Sequence, residues 1–363
     1  MEDHLRLAGG ELNAGRTMRA AIVERTGPPD VLRVAEVAAR EPGPREIRIA
    51  VTACGVCFHD VVVRNGTFRR GVEMPVILGH EVAGTIESLG SEVRDFSRGD
   101  LVATTIHSHV CGHCRDCRGG HENSCPERVF LGDAGLNGGY AELVCVDADA
   151  AIKVPAGIAP EEASIVACTI GTELNAVRDV GRVRLGERVL VTGAGGGLGL
   201  HSVQLSRLAG AFTIAVTTTA AKAARIREAG ADEVIVVERG EDFSNQVRRL
   251  TDGRGVDATI DNVGSLVFDA VRRSMADGGR IVLVGQLTGE FIKINPAQLF
   301  LRNISILSAK GVSRSQLADA LDLVARGRIK PAVDRVLPLE GAAEAHRLVE
   351  AGLSTGRLVL IPA

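Results

Sequence analysis

Between Arg188 and Ala309 the chain alternates short, continuous runs of Val and Ile with stretches of helical periodicity. Continuous apolar runs suit strands buried on both faces of a parallel sheet, and the helices between them make a succession of βαβ units. Six strands are predicted: Val189–Thr192, Phe212–Thr217, Val234–Val237, Val256–Ile260, Arg280–Gly285 and Asn303–Ser308. Helices are predicted at Lys222–Ala229, stopped by Gly230, and at Val267–Met275, stopped by Gly278 and Gly279, since glycine accepts the left-handed turn that ends a helix. Before residue 170 short strands are broken by Pro and Gly turns with charges between them, the pattern of an irregular all-β lobe. After Ser315 come two amphipathic helices, Gln316–Arg326 and Gly341–Glu350, and a strand, Arg357–Ile361, a tail placed most economically back on the first lobe. The expected fold class is therefore α/β. A β domain of residues 18–169 and 310–363 is interrupted by a nucleotide-binding domain, residues 170–309, while residues 1–17, without periodicity, read as an N-terminal extension.

Composition narrows the function. A chain of 363 residues exceeds what one core usually organises. Lys and Arg number 42 against 45 Asp and Glu, a net charge of -3, so there is no field to hold a polyanion. Trp is absent and Tyr140 is the single tyrosine, leaving few platforms on which bases could stack. Nucleic acid is thus not an expected partner. Neither is a membrane, because no apolar run approaches the roughly 18 to 20 residues of a span and no apolar leader core precedes Met18. The expected location is the cytoplasm, where eight cysteines point to thiolate ligation rather than disulfides.

Four of these cysteines, Cys111, Cys114, Cys117 and Cys125, are spaced C-x2-C-x2-C-x7-C in a polar, glycine-containing segment. Four sulfurs on a short turning peptide suit a closed tetrahedral zinc site that stabilises a lobe without chemistry. An iron–sulfur cluster is the competing metal, disfavoured by the seven-residue gap before Cys125. Gly193, Gly195, Gly196, Gly197, Leu198 and Gly199 follow the first predicted strand and open a helix. Glycines there let bare backbone approach a pyrophosphate and aim a helix N-terminus at its charge, so a dinucleotide is the expected ligand. NAD-binding chains usually carry a carboxylate about 20 residues beyond these glycines to hold the ribose. Here the place belongs to Thr217, and no Asp or Glu occurs between Ala211 and Arg227. Thr217, Thr218, Thr219, Lys222 and Arg225 could accept a 2′-phosphate, so NADP(H) is favoured and NAD(H) possible. Alternatively, Lys222 and Arg225 only solvate a helix face.

Three further potential ligands stand apart: Cys57 in "CGVCFHD", His80 in "GHE", and Cys168 where the chain should cross between domains. Two thiolates and one imidazole form a zinc set that leaves a position open. With "GVCxxD", "GHE", the four-cysteine lobe, the Cys168 crossover and "VTGAGGGLG" in that order, the chain from Met18 resembles the medium-chain dehydrogenase/reductase superfamily, in its zinc-dependent alcohol dehydrogenase branch. The resemblance implies a GroES-like catalytic domain joined to a Rossmann domain with a doubly wound, parallel six-stranded sheet. It implies two zinc ions per chain: a catalytic one on Cys57, His80 and Cys168 with Glu81 and Asp60 behind them, and a structural one in the lobe. It further implies that Thr172, Val263, Val284 and Gly285 line the nicotinamide and that Arg357 approaches the cofactor phosphates. Activity would then be hydride transfer between NAD(P)(H) and a small alcohol or its aldehyde or ketone, in a homodimer or homotetramer. Two features depart from the pattern. Where many relatives carry a hydroxyl that relays the alcohol proton there is His59, and Val62 follows where some carry a further histidine. His59 could relay the proton itself, point away, or contact a substrate phosphate. The departure, with the missing ribose carboxylate, also suits a zinc-containing, NADPH-dependent enoyl-thioester reductase of the acryloyl-CoA type.

Overall fold

The computed structural model describes residues 12–68, 72–133 and 135–362. The apolar runs beyond Arg188 form a parallel six-stranded sheet in the order Glu233–Val236, Phe212–Thr217, Arg188–Val191, Val256–Asp261, Met275–Leu283, Ser305–Ser308. Val189, Leu190, Val191, Ile214, Ala215, Ile260, Ile281 and Val282 are buried within it, as strands covered by helices on both faces require. This order reverses beside Arg188–Val191, and the crevice at the carboxyl ends of the strands on either side of such a reversal is where ligands bind.

Two of these strands differ from expectation at their starts by more than one residue. Met275 already pairs with Val256, five residues before the predicted Arg280, and the register then slips so that Arg280 meets Ala258. The polar "ADGG" run reads locally as a break, yet its backbone stays in the ladder. The last strand begins at Ser305 rather than Asn303, because Asn303 has a φ of 50°, which no strand accommodates.

The first lobe is built on strand Glu46–Val56, which pairs with Glu81–Leu89, Leu143–Asp147 and Arg357–Ile361. Leu101–Thr104 and Ala151–Lys153 extend one side of this seven-stranded sheet, and Val333–Pro338 extends the other. Both strands of the tail thus join the sheet of the first lobe. A second sheet has the order Leu32–Arg40, Leu12–Val23, Val76–Ile77. Its central strand starts at Leu12 and not at Met18, so the end of the predicted extension 1–17 is paired, with Thr17 opposite Ala38. Exposed Arg16 and Thr17 reach Glu87 (2.5 Å) and Glu36 (3.3 Å), and such solvent-facing polar residues carry no alternation by which to read a strand. Residues 1–11 lie outside the described residues. Among the described residues no helix is long and apolar enough to cross a membrane.

The link between the lobes is one continuous helical stretch. Helix Pro160–Ile165 passes into π-helical turns at Val166–Gly171 and Asn175–Val180, separated by the α-turn Thr172–Leu174. Wide turns of this kind are rare and concentrate at functional sites.

Candidate active site

Cys57, His80, Glu81 and Cys168 each place a ligand atom within 4.8 Å of the others, at the junction of the lobes. Cys57 caps helix Phe58–Asn65: its Sγ accepts the His59 N–H at 3.5 Å, and Asp60 Oδ2 accepts the Cys57 N–H at 2.9 Å. This reciprocal cap fixes the sulfur at a helix N-terminus, where a thiolate is favoured. Glu81 opens the strand paired with Glu46–Val56 and stands opposite Gly55, where a Cβ would lie 2.0 Å from Glu81 Oε2. Only glycine leaves room for the carboxylate. Cys168 sits in the first π-helical turn with its Sγ 3.9 Å from that of Cys57.

Buried charge balances itself around this cluster. Asp60 accepts from the Cys57 and Gly79 N–H groups and the Tyr140 hydroxyl, and lies 3.2 Å from His80 Nδ1. Burial would raise the Asp60 pKa, but the neighbouring His80 holds it well below the carboxylate range. Burial likewise opposes a proton on His80, while Asp60 and Cys57 hold its pKa well above the usual value. The adjacent Cys168 thiol draws Cys57 down against burial, with Arg357 and His80 adding to the effect. Arg357, itself buried, reaches Glu81 Oε1 at 2.8 Å and Cys168 Sγ at 3.6 Å. Burial still lifts the Glu81 carboxyl to about 7; Oε1 meets the Arg357 guanidinium, and Oε2 has no hydrogen-bond partner. Two thiols, an imidazole and a carboxylate with one orphaned oxygen fit a divalent cation that prefers sulfur and nitrogen, as zinc does.

His59 faces the same space. Its Nε2 lies 2.8 Å from Asp133 Oδ1, and its ring packs 4.5 Å from Phe130, 5.3 Å from Phe68 and 5.5 Å from His80, centroid to centroid. Asp133, Phe130 and Phe68 have no spacing relation to the "GVCxxD" motif and carry no signal in the sequence.

The lobe cysteines Cys111, Cys114, Cys117 and Cys125 also bring their sulfurs within 4.8 Å of one another. Backbone N–H groups organise them: Cys114 N donates to Cys111 Sγ at 3.3 Å, and Cys117 N to Cys114 Sγ at 3.4 Å. Donation from the His113 backbone, against some burial, draws the Cys111 thiol down to about 7. This donor set fits a four-sulfur zinc site. Cys54 and Cys145 join neither cluster, and burial pushes both thiols up, Cys145 to about 12.

A cleft of about 310 Å³ passes beside the buried cluster, whose own ligands are not in its lining. Gly193, Gly195, Gly196, Gly197, Leu198, Gly199, Thr217, Thr218, Lys222, Val263 and Arg357 line it, and Val56 and Phe58 bring it beside Cys57. The glycines are required by close approach: a Cβ on Gly199 would stand 2.2 Å from Gly193 O, and one on Gly195 2.6 Å from the Lys222 side chain. That bare-backbone cradle at the start of helix Gly197–Leu208 fits a dinucleotide pyrophosphate. Thr172, Val284 and Gly285 are not in the lining. The N–H groups of Val284 and Gly285 donate to Asp261 O, the residue before the wall residues Asn262 and Val263. Arg225 also stays away, its guanidinium bonded to Thr355 O, Val333 O and Asp334. The Lys222 amine reaches Gly352 O at 2.7 Å, and burial lowers its pKa. Thr219, Glu238, Arg239 and Glu241 also line the cleft, and of these only Thr219 carries a signal in the sequence.

Known proteins are similar to this chain over nearly its whole length. Residues 43–156 match the alcohol dehydrogenase GroES-like domain, and residues 229–360 match the zinc-binding dehydrogenase family. An acryloyl-coenzyme A reductase of Sulfurisphaera tokodaii is 33% identical over 346 residues, 95% of this chain and 100% of that protein. An NAD-dependent alcohol dehydrogenase of Saccharolobus solfataricus is 34% identical over 354 residues, again 95% and 100%. The crystal structure of AibC superposes with a TM-score of 0.88 at 42% identity, covering 96% of each chain.

Proposed function

The chain belongs to the zinc-dependent alcohol dehydrogenase branch of the medium-chain dehydrogenase/reductase superfamily and is an oxidoreductase; from that premise we propose that it moves hydride between NADP(H) and a small alcohol or its carbonyl partner. The observation that carries this reading is the convergence of Cys57, His80 and Cys168 beside a glycine-lined cleft whose wall residues Val56, Phe58 and Arg357 adjoin them. Cys57, His80 and Cys168 would hold a zinc ion, its two charges met by the two thiolates, beside the paired Arg357 and Glu81. Zinc there supplies a Lewis acid for the substrate oxygen, and the dinucleotide supplies or takes the hydride. Asp60 orients the His80 ring through Nδ1. Asp133 engages His59 Nε2 and leaves Nδ1 to hold or release the substrate proton, while Phe68 and Phe130 exclude water from the space beside that ring.

The same geometry supports a second reading, NADPH-linked reduction of an enoyl thioester, favoured by the His59–Asp133 pair in place of a relay hydroxyl. A side-by-side assay separates the two: oxidation of a panel of small alcohols with NADP against reduction of enoyl thioesters with NADPH. Activity on alcohols supports the first reading, and activity confined to the thioesters replaces it with the second.

NADP(H) preference is supported by Thr217 in place of a carboxylate and by Arg239 in the lining, opposed there by Glu238 and Glu241, with the Lys222 amine taken by Gly352 O and Arg225 no longer among the candidates. The sheet edge Ser305–Ser308, with exposed Phe300 and Leu301 beside it, would join two copies in a homodimer, which light scattering in solution tests.

A further inference from the structure

Behind the inner wall of the cleft runs a chain of buried polar groups that the proposed chemistry does not use. Glu173, in the α-turn between the two π-helical turns, is fully buried, and its Oε2 lies 2.6 Å from Ser202 Oγ on the helix that follows the glycine loop. Ser202 Oγ receives one Asn262 Nδ2 proton at 3.1 Å, and the other goes to Thr192 O at 3.2 Å. Thr192 Oγ1 donates to Asp261 Oδ1 at 2.6 Å and accepts the Asn262 N–H at 3.0 Å. That same Asp261 oxygen collects the N–H groups of Val263 and Gly264 at 3.1 and 3.2 Å. A hydrogen-bonded path thus joins the crossover helix to the wall residues Asn262 and Val263.

Counting protons assigns the direction of the first bond. Ser202 has one proton and two lone pairs, and Asn262 already fills one lone pair. If Glu173 donates into the other, the Ser202 proton is free for Leu198 O at 3.3 Å, and every donor in the path is used. An ionised Glu173 would instead be a buried anion with a single hydrogen bond and no ion pair, because its Oε1 has no partner. The titratable groups on the elements packed against it are Cys168 before it, Arg178 and Asp179 after it, and His201 and Arg207 on the glycine-loop helix. None of them pairs with it: Arg178 is held by Asp179 and Asp319, and His201 by Gly197 O and the Ala332 N–H. Burial accordingly raises the Glu173 carboxyl to about 8, against a smaller opposing effect from Ser202.

We propose that Glu173 is a positioning residue for the dinucleotide, donating to Ser202 and so holding Asn262 and Val263 in the wall against which the cofactor packs. The inference rests on the dinucleotide reading above. Fluorescence titration of the full-length, zinc-loaded protein with NADPH and NADH between about pH 6.5 and 9.5 tests it, in wild type, E173Q and E173L. Glutamine keeps a donor, so E173Q binds within about twofold of wild type at neutral pH, whereas E173L, of similar bulk without a donor, binds about fivefold to tenfold more weakly. In turnover the loss in E173L falls on the cofactor KM, and kcat at saturating cofactor is retained. Wild-type affinity falls as pH rises through about 8, when the donor proton leaves, and the E173Q profile stays flat there. Wild-type affinity in E173L, a loss in E173Q equal to that in E173L, or the same pH step in E173Q and wild type overturns the proposal. Should E173L fail to fold, the wild type and E173Q profiles decide alone. A wild type that binds neither dinucleotide defeats the functional reading itself, a separate outcome from these.

Discussion

The two sulfur clusters use the same side chain in opposite ways. In the lobe, all four ligands come from one short loop, Cys111 to Cys125, and the thiols are organised by the loop's own backbone N–H groups, with Cys114 and Cys117 partly exposed. At the domain junction the ligands come from a capped helix, a strand end and a π-helical turn, and the charge is balanced by the buried side chains Asp60, Arg357 and Glu81. A loop that is its own scaffold can clip a lobe wherever it lies. A site that borrows three elements can open onto a cleft, and only the second stands beside the glycine loop.

Substitution separates the two roles. The largest effect is expected for Cys57→Ser: kcat/KM should fall on the order of 10³-fold while the melting temperature and lobe zinc are nearly unchanged, checked by steady-state kinetics and calorimetry. A C57S enzyme with near wild-type turnover would erase the distinction. For Cys114→Ser the effect should move to the fold, with a stability loss of about 3 kcal/mol and a lower melting temperature but near-normal kcat in the molecules that remain folded. The smallest effect probes the other end of the cleft, where Thr217→Asp should swing preference from NADP(H) toward NAD(H) by about tenfold, measured as the ratio of the two kcat/KM values. An unchanged ratio would remove Thr217 as the determinant.

What sequence reading could reach follows the same division. The lobe cysteines and the glycine loop are legible because their meaning lies in spacing within one segment, and the apolar runs around Val189, Phe212 and Val256 mark strands because burial on both faces is a local property. The strand from Met275 escaped because its first residues are polar and glycine-rich, although their backbone is paired. The start of the strand at Leu12 escaped because Arg16 and Thr17 face solvent, and an exposed face carries no pattern. Within the site, His59 was visible as a departure from a motif, but Asp133, which holds it, lies 74 residues away and is supplied by the fold. Arg225 looked like a phosphate ligand on its own helix, yet Val333 and Thr355, more than a hundred residues on, take its guanidinium. The Glu173–Ser202 contact likewise exists only once the crossover helix packs on the glycine-loop helix.

The most direct measurement is an anomalous difference map from a crystal of the chelator-free protein, with data collected on both sides of the zinc absorption edge. Two peaks are expected per chain, one among the sulfurs of Cys111, Cys114, Cys117 and Cys125 and one shared by Cys57, His80 and Cys168 beside the cleft. A peak in the lobe alone, with the Cys57, His80 and Cys168 side chains directed away from a common point, would contradict the metal-assisted chemistry proposed for the junction.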